Sequence, residues 1–166
     1  MAGRYETALA HYGLTNDQYR RAVAAHELAH GLIAAAMPTL DVGQVVITTH
    51  RQLGVHGCAY VGTAPGRQRD PIEKAAELYA GAIAKARWLR TVERRWSSDL
   101  EHLVRECAAG DRAIIQQLRL DRRQDSLAQT EAERAVTRQW PAITKAVPRL
   151  AKRGQISGRE LRRLAR

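Results

Sequence analysis

The stretch Ala22–Ala36, AVAAHELAHGLIAAA, decides both the fold and the chemistry expected of this chain. Alanine favours helix, and its small side chain lets neighbouring elements approach closely, so the stretch predicts a buried helix. In its middle stand His26, Glu27 and His30, which are costly to bury without partners. Because apolar residues flank them on both sides, we expect the polar face to line a pocket and not to face solvent.

The three polar residues form the pattern H-E-x-x-H. His26 and His30 are four residues apart and therefore share one helical face, where two imidazoles can bind one tetrahedral metal ion. Glu27 lies beside His26, in the position of a general base for metal-assisted hydrolysis. The same residues can arise by chance on an exposed helix, but such a helix carries Lys, Glu and Gln around them. The pattern therefore predicts one zinc ion per chain.

A catalytic zinc usually has a third protein ligand. Two candidates, His50 and His56, lie in or beside a β-like region. Three others, Asp99, Glu101 and His102, lie at the start of a later helix. Spacing alone does not choose among these five residues.

The flanking sequence predicts a mainly α fold with one small antiparallel sheet. Thr15 and Gln18 have capping-box spacing, so the metal-binding helix should run from about Asn16 to Ala36, before Pro38. Residues 42–62 are rich in β-branched residues and glycine and predict two or three short strands after that helix.

The rest of the chain predicts helices. The first helix is expected over 4–13, ahead of the metal-binding one. Later helix starts are indicated by Asp70 with Pro71, by Ser97 or Ser98, and by Ser157. Another helix is expected from about 127 to 147, with an interruption at Pro141.

Length and composition limit the classes of protein to which this chain can belong. The 166 residues, 45% of them hydrophobic, predict a single domain over residues 1–166. Cys58 and Cys107 are too few for a disulfide framework, and no apolar run approaches the roughly 20 residues that cross a bilayer. No signal peptide is recognisable. We therefore expect a cytoplasmic protein without a membrane span.

Several segments, in order, resemble the peptidase domain of the FtsH-type AAA+ metalloproteases. The helix is similar to that family's H-E-A-G-H helix, with Ala29 in place of the glycine. Four further segments are similar to segments of that family. VGQVVITTHRQLGVHGCAYVGTAP is similar to its "LGY" strands, and ELYAGAIAKA to its "GGRAAE" helix. SSDLEHL is similar to its "SNDLEQA", and ISGREL to its "LDGEEL". The segment ELYAGAIAKA matches loosely, because it lacks one glycine and the acidic end.

The resemblance implies a helical metallopeptidase domain with Glu27 as catalytic base and Asp99 as the third zinc ligand beside His26 and His30. It also implies a homo-oligomer, by analogy with the family's hexamers. The sequence contains no GxxxxGK[ST] nucleotide-binding motif. We therefore expect a stand-alone zinc endopeptidase that cuts unfolded or extended polypeptide segments, with a separate ATPase as a conceivable partner. His50 and His56 are expected to contact the substrate.

The alternative is a basic interaction module with a structural or vestigial zinc site. The formal net charge is +10, and arginines cluster in the C-terminal third, as in RLDRRQD and RGQISGRELRRLAR. Such a charge suits an acidic protein partner or a nucleic acid. Solvated helical faces are the favoured explanation of these runs, and no aromatic interleaving or nucleic-acid motif accompanies them. Nucleic acid is therefore the less favoured partner.

Overall fold

The central element is helix α1, Asn16–Ala36, in a computed structural model that describes residues 9–50 and 54–166. Its predicted bounds are confirmed. Thr15 and Gln18 form the reciprocal capping box, and Met37 adopts extended backbone ahead of proline. The helix packs against both long strands and three other helices, which buries all of its residues from Ala22 to Ala34. The predicted N-terminal helix over 4–13 lies mostly outside the described residues, of which 9–11 are helical.

Strands β1, Leu40–His50, and β2, Gly54–Thr63, pair antiparallel beside α1. The alternation of buried residues in β1 changes phase at Gly43, where the register with β2 shifts. This bulge keeps Val42 and Val45 on the same buried face although they are three residues apart. The bulge therefore lets the buried face of β1 continue on both sides of Gly43.

Helix α2, Pro71–Thr91, begins where the sequence predicts it, because the Asp70 side chain accepts from two backbone N–H groups of the first turn. It runs antiparallel to α1. Two shorter helices follow: α3, Ser98–Cys107, which Ser97 caps, and α4, Ala109–Gln117. The helix start at α4 was not foreseen from the sequence.

Helix α5, Arg122–Arg153, is continuous, so the predicted interruption at Pro141 is wrong. Pro141 and Pro148 both lie on its exposed side, where water can bind the carbonyls that lose a helical donor. The opposite face is buried and packs on α1 and α2, which outweighs the two missing hydrogen bonds.

The chain ends in a short strand and a helix. Strand β3, Gln155–Ser157, pairs antiparallel with β1, so the sheet order is β2-β1-β3. Helix α6, Gly158–Leu164, follows with Ser157 as its N-cap. The mainly α fold with one small antiparallel sheet is thus confirmed, although its third strand comes from the C-terminal end. Among the described residues, no helix has the length and apolar character that crossing a membrane requires.

Candidate metal centre

Three potential metal ligands converge between α1 and the start of α4. His26 Nε2 and His30 Nε2 lie 3.0 Å apart. Asp111 Oδ2, from the first turn of α4, lies 3.2 Å from the first nitrogen and 3.5 Å from the second. Both histidines are buried, and the Asp111 side chain is 20% exposed. In the part of the chain that the structure describes, this is the group of side chains with the geometry of a metal site.

The distances and donor types fit a zinc ion. Tetrahedral zinc with bonds of about 2.0–2.1 Å separates its ligand atoms by roughly 3.3 Å, and the three measured separations bracket that value. Two imidazoles and one carboxylate form a donor set that zinc commonly takes. A carboxylate at a helix N-terminus is also favoured by the helix dipole, as Asp111 is in α4.

The facing helix leaves room for an ion at these nitrogens. Gly81 of α2 lies opposite both imidazoles, and a Cβ atom there would be 2.4 Å from His30 Nε2 and 2.7 Å from His26 Nε2. Any side chain at this position would press on the two ring nitrogens. The glycine therefore keeps open the space that a shared ligand of the two histidines needs.

The His30 ring is oriented by a partner on α2. Its Nδ1 donates to the Glu77 backbone oxygen at 2.9 Å and lies 3.0 Å from Glu77 Oε1. Lys74 Nζ in turn donates to Glu77 Oε2, and all three side chains are buried. This arrangement holds a proton on Nδ1 and turns Nε2 towards the site, as outer-shell carboxylates do around metal-binding histidines.

The pKa values of the two histidines are shifted in opposite directions. Burial lowers the pKa of His26. Burial also acts on His30, but its hydrogen bonds to Asp111 and Glu77 outweigh that effect and raise its pKa well above the usual value. Although burial opposes it, the pKa of Asp111 is lowered, because both histidines donate to its carboxylate. Without metal the pair therefore carries one positive charge near neutral pH, on His30, and a bound ion has to displace the proton on Nε2 of that ring.

Glu27 lies beside this group, at 8% exposure. Gly57 of β2 packs directly on it, since a Cβ atom there would be 2.3 Å from Glu27 Cγ and 2.7 Å from Oε1. Among the residues that the structure describes, none forms a hydrogen bond or ion pair with the Glu27 carboxylate. Its oxygens line a cavity of about 370 Å³ that also contains His26, His30 and Asp111, so they are available to a substrate or to water.

The structure does not bring the expected third ligand to the site. Asp99 is exposed in the first turn of α3 and lies outside the group, whose carboxylate is Asp111. The chain turns at Ala108, and it is the start of α4 that faces the metal-binding helix. Asp111 was missed because its only sequence signal is an acidic residue after the small residues Ala109 and Gly110, a weak and common pattern.

The other candidates are also separate from the ligand group. Glu101 and His102 are on α3, paired with Arg105 and Glu106. His56 is exposed on β2 and lines a second cavity, of about 290 Å³, together with His26 and Glu27, so its expected role in substrate binding stays a prediction. His50, at the end of β1, lines neither cavity.

Comparison of the chain with models of known protein families and with curated proteins finds no match. The resemblance to the FtsH-type peptidase domain therefore depends on the quoted motifs alone.

Proposed function

We propose that this chain is a zinc-dependent endopeptidase that hydrolyses peptide bonds in unfolded or extended polypeptide segments. The observation that supports the proposal is the convergence of His26, His30 and Asp111, with Glu27 beside them in the same cavity. A catalytic zinc needs three protein ligands and an accessible position for substrate, and the cavity offers both.

The roles of the side chains follow from their contacts. His26 and His30 would hold the ion through Nε2, and Asp111 through Oδ2. A bound zinc ion supplies a Lewis acid that polarises the scissile carbonyl and makes water a nucleophile at neutral pH. Glu27 accepts the proton of the attacking water on a carboxylate oxygen and donates it to the leaving amine. Glu77 keeps the His30 ring in place through Nδ1.

An extended substrate suits the edge of the sheet. In the described part of the chain, β2 pairs with β1 along one side, and its other side has no strand partner. Gly57, Cys58 and Ala59 of β2 line the metal cavity. A peptide that adds to this edge through backbone hydrogen bonds would run past Glu27, and only an unfolded segment can pair in that way. A separate ATPase that unfolds substrates and a hexameric ring are further parts of this proposal.

The test is cleavage of unfolded casein by the zinc-loaded protein. Wild-type protein should cut casein, and Glu27→Gln should lose about 100- to 10,000-fold in rate, the usual contribution of a general base. The variant should still bind one zinc ion per chain, because Glu27 is not a ligand. Equal rates for wild type and Glu27→Gln would refute the proposal for this substrate.

A cytoplasmic location also belongs to this proposal. Cys58 and Cys107 are both free and exposed. Exposed thiols persist most readily in a reducing compartment.

A second candidate is an interaction module that binds an acidic partner. The start of α5 presents Arg122 and Arg123 next to Leu127, which is 46% exposed. An apolar side chain among exposed cations suits an acidic protein surface better than nucleic-acid bases. Binding that is lost in Arg122→Ala with Arg123→Ala, in a protein that cleaves nothing, would favour this function. No binding of acidic proteins or duplex DNA at low salt would exclude it.

A further inference from the structure

Lys85 of α2 is a buried cation that no described residue pairs with an opposite charge. It lies one helical turn beyond Gly81 and is 1% exposed. Its Nζ lies 4.7 Å from the centre of the Tyr19 ring. None of the described residues forms a hydrogen bond or ion pair with this ammonium group.

This arrangement differs from that of the other buried lysine of the helix. Lys74 is nearly as buried, but it is paired with Glu77. Buried ammonium groups are normally paired with an anion. The free energy of removing water from a full charge is larger than the stabilisation that an aromatic ring provides. The described residues supply a carboxylate to Lys74 and none to Lys85, so within this part of the chain the Lys85 ammonium group is available to bind an anion that enters from solvent.

The surroundings of Lys85 form a pocket that opens towards the candidate metal centre. The cavity of about 290 Å³ has Tyr19, Val23 and Val55 among its walls and shares His26 and Glu27 with the metal cavity. We call this cavity the Lys85 pocket. The apolar side chains Val23 and Val55 lie among the lining residues with Lys85, and apolar surroundings strengthen the attraction between an ammonium group and an anion.

We propose that the Lys85 pocket is a specificity pocket that binds a carboxylate of the peptide substrate next to the scissile bond. The inference rests on the proposed peptidase function. The carboxylate can belong to an acidic side chain or to the C-terminus of the substrate. Lys85 binds it by a charge-assisted hydrogen bond, and the apolar walls contact the methylene groups that carry it.

The test uses the zinc-loaded full chain and four matched peptides. Two peptides, blocked at both ends, differ only by Glu or Gln at one position next to the cleavage site. Two others differ only by a free or an amidated C-terminus. Wild-type protein should prefer the carboxylate in one of the two pairs by about 10- to 100-fold in kcat/KM. The first pair tests a side-chain carboxylate and the second a C-terminal one.

The variant Lys85→Met keeps the length of the side chain and removes the charge. It should reduce the preference to about twofold or less, while zinc content and cleavage of the uncharged peptides remain. Lys85→Arg should retain the preference and provides a second variant in case Lys85→Met does not fold. No preference in wild type, or a preference that persists in Lys85→Met, would overturn the proposal.

Failure of the peptidase proposal gives a different result. If wild-type protein cleaves none of the peptides, binding of the same four peptides, carrying a fluorophore, is measured by anisotropy. A Lys85-dependent preference for the carboxylate in binding would keep the pocket and reject the enzyme. Equal binding of all four peptides would reject the pocket.

Discussion

The two histidines of the motif lie one turn apart on α1, yet their surroundings differ sharply. The His30 side is enclosed: Nδ1 donates to Glu77, which Lys74 pairs in turn. The His26 side lacks such bonds: Nδ1 of His26 is buried without a hydrogen-bond partner among the described residues. We call it the open side, because His26 lines two cavities. That side borders the pocket in which Glu27 and Lys85 also lack polar partners within the described residues.

This difference indicates that the His30 side serves metal binding and that the His26 side serves substrate binding and proton transfer. Completed hydrogen bonds hold a ligand ring rigidly, which is what metal affinity requires. Groups that must bind substrate or move protons have to keep their bonding capacity unused in the free protein, and unsatisfied polar groups are otherwise rare in protein interiors. We therefore expect substitutions on the His30 side to change metal binding and substitutions on the His26 side to change turnover and specificity.

Asp111 contacts both histidines, and its removal should have the largest effect on zinc binding. Asp111→Ala should lower zinc affinity by more than about 100-fold, since loss of a mere outer-shell partner already costs 10- to 100-fold. Asp99→Ala is the matched control and should keep one zinc ion per chain, because Asp99 is exposed and apart from the group. Elemental analysis of both purified variants measures this. Zinc loss in Asp99→Ala alone would reverse the assignment.

Gly57→Ala should separate turnover from metal binding. Its Cβ would lie 2.3 Å from Glu27 Cγ, so the carboxylate has to move. Peptide cleavage should fall by about 100-fold or more while zinc content stays unchanged. Gly62→Ala is the control on the same strand, because nothing lies within 4 Å of a Cβ at Gly62. Full activity in Gly57→Ala would contradict the placement of Glu27 as the base.

Glu77→Gln tests the enclosed side. The amide oxygen can still accept from His30, but the negative charge opposite Lys74 and the imidazole is gone. Zinc affinity should fall by about 10-fold, near the lower end of the range for outer-shell partners. Competition with a chromogenic chelator measures the affinity. His56→Gln, on the open side, should leave it unchanged, and an equal loss in both variants would remove the distinction between the two sides.

The smallest effect of a substitution is expected in the pH at which zinc affinity levels off. The raised pKa of His30 means that the metal-free site holds a proton, which zinc displaces. Zinc affinity should therefore rise by about tenfold per pH unit below that pKa and level off above it. The hydrogen bond to Asp111 raises the pKa most and remains, but Glu77→Gln weakens the second one and removes a negative charge, so the affinity should level off at a lower pH. Titrations with zinc across a pH series test this, and identical profiles would contradict it.

Local sequence signals predicted much of the fold, and at the site they predicted His26, Glu27 and His30. The capping box of Thr15 and Gln18 and the alanine-rich run determined the bounds of α1. The spacing of His26, Glu27 and His30 placed two imidazoles on one face, because four residues make about one helical turn. Asp70 with Pro71 likewise marked the start of α2. These signals act within a few residues, and so the sequence by itself was sufficient.

The third metal ligand and the outer partners of the site were decided only by the tertiary structure, because they depend on contacts between distant segments. Asp111 is 81 residues from His30, and the turn at Ala108 determines that α4, and not Asp99 of α3, reaches the histidines. The partners Glu77 and Lys85 are ordinary charged residues of a helix until α2 packs on α1. The prolines of α5 are tolerated for the same reason, since burial of its opposite face stabilises the helix. Packing, which no local pattern encodes, selected these residues.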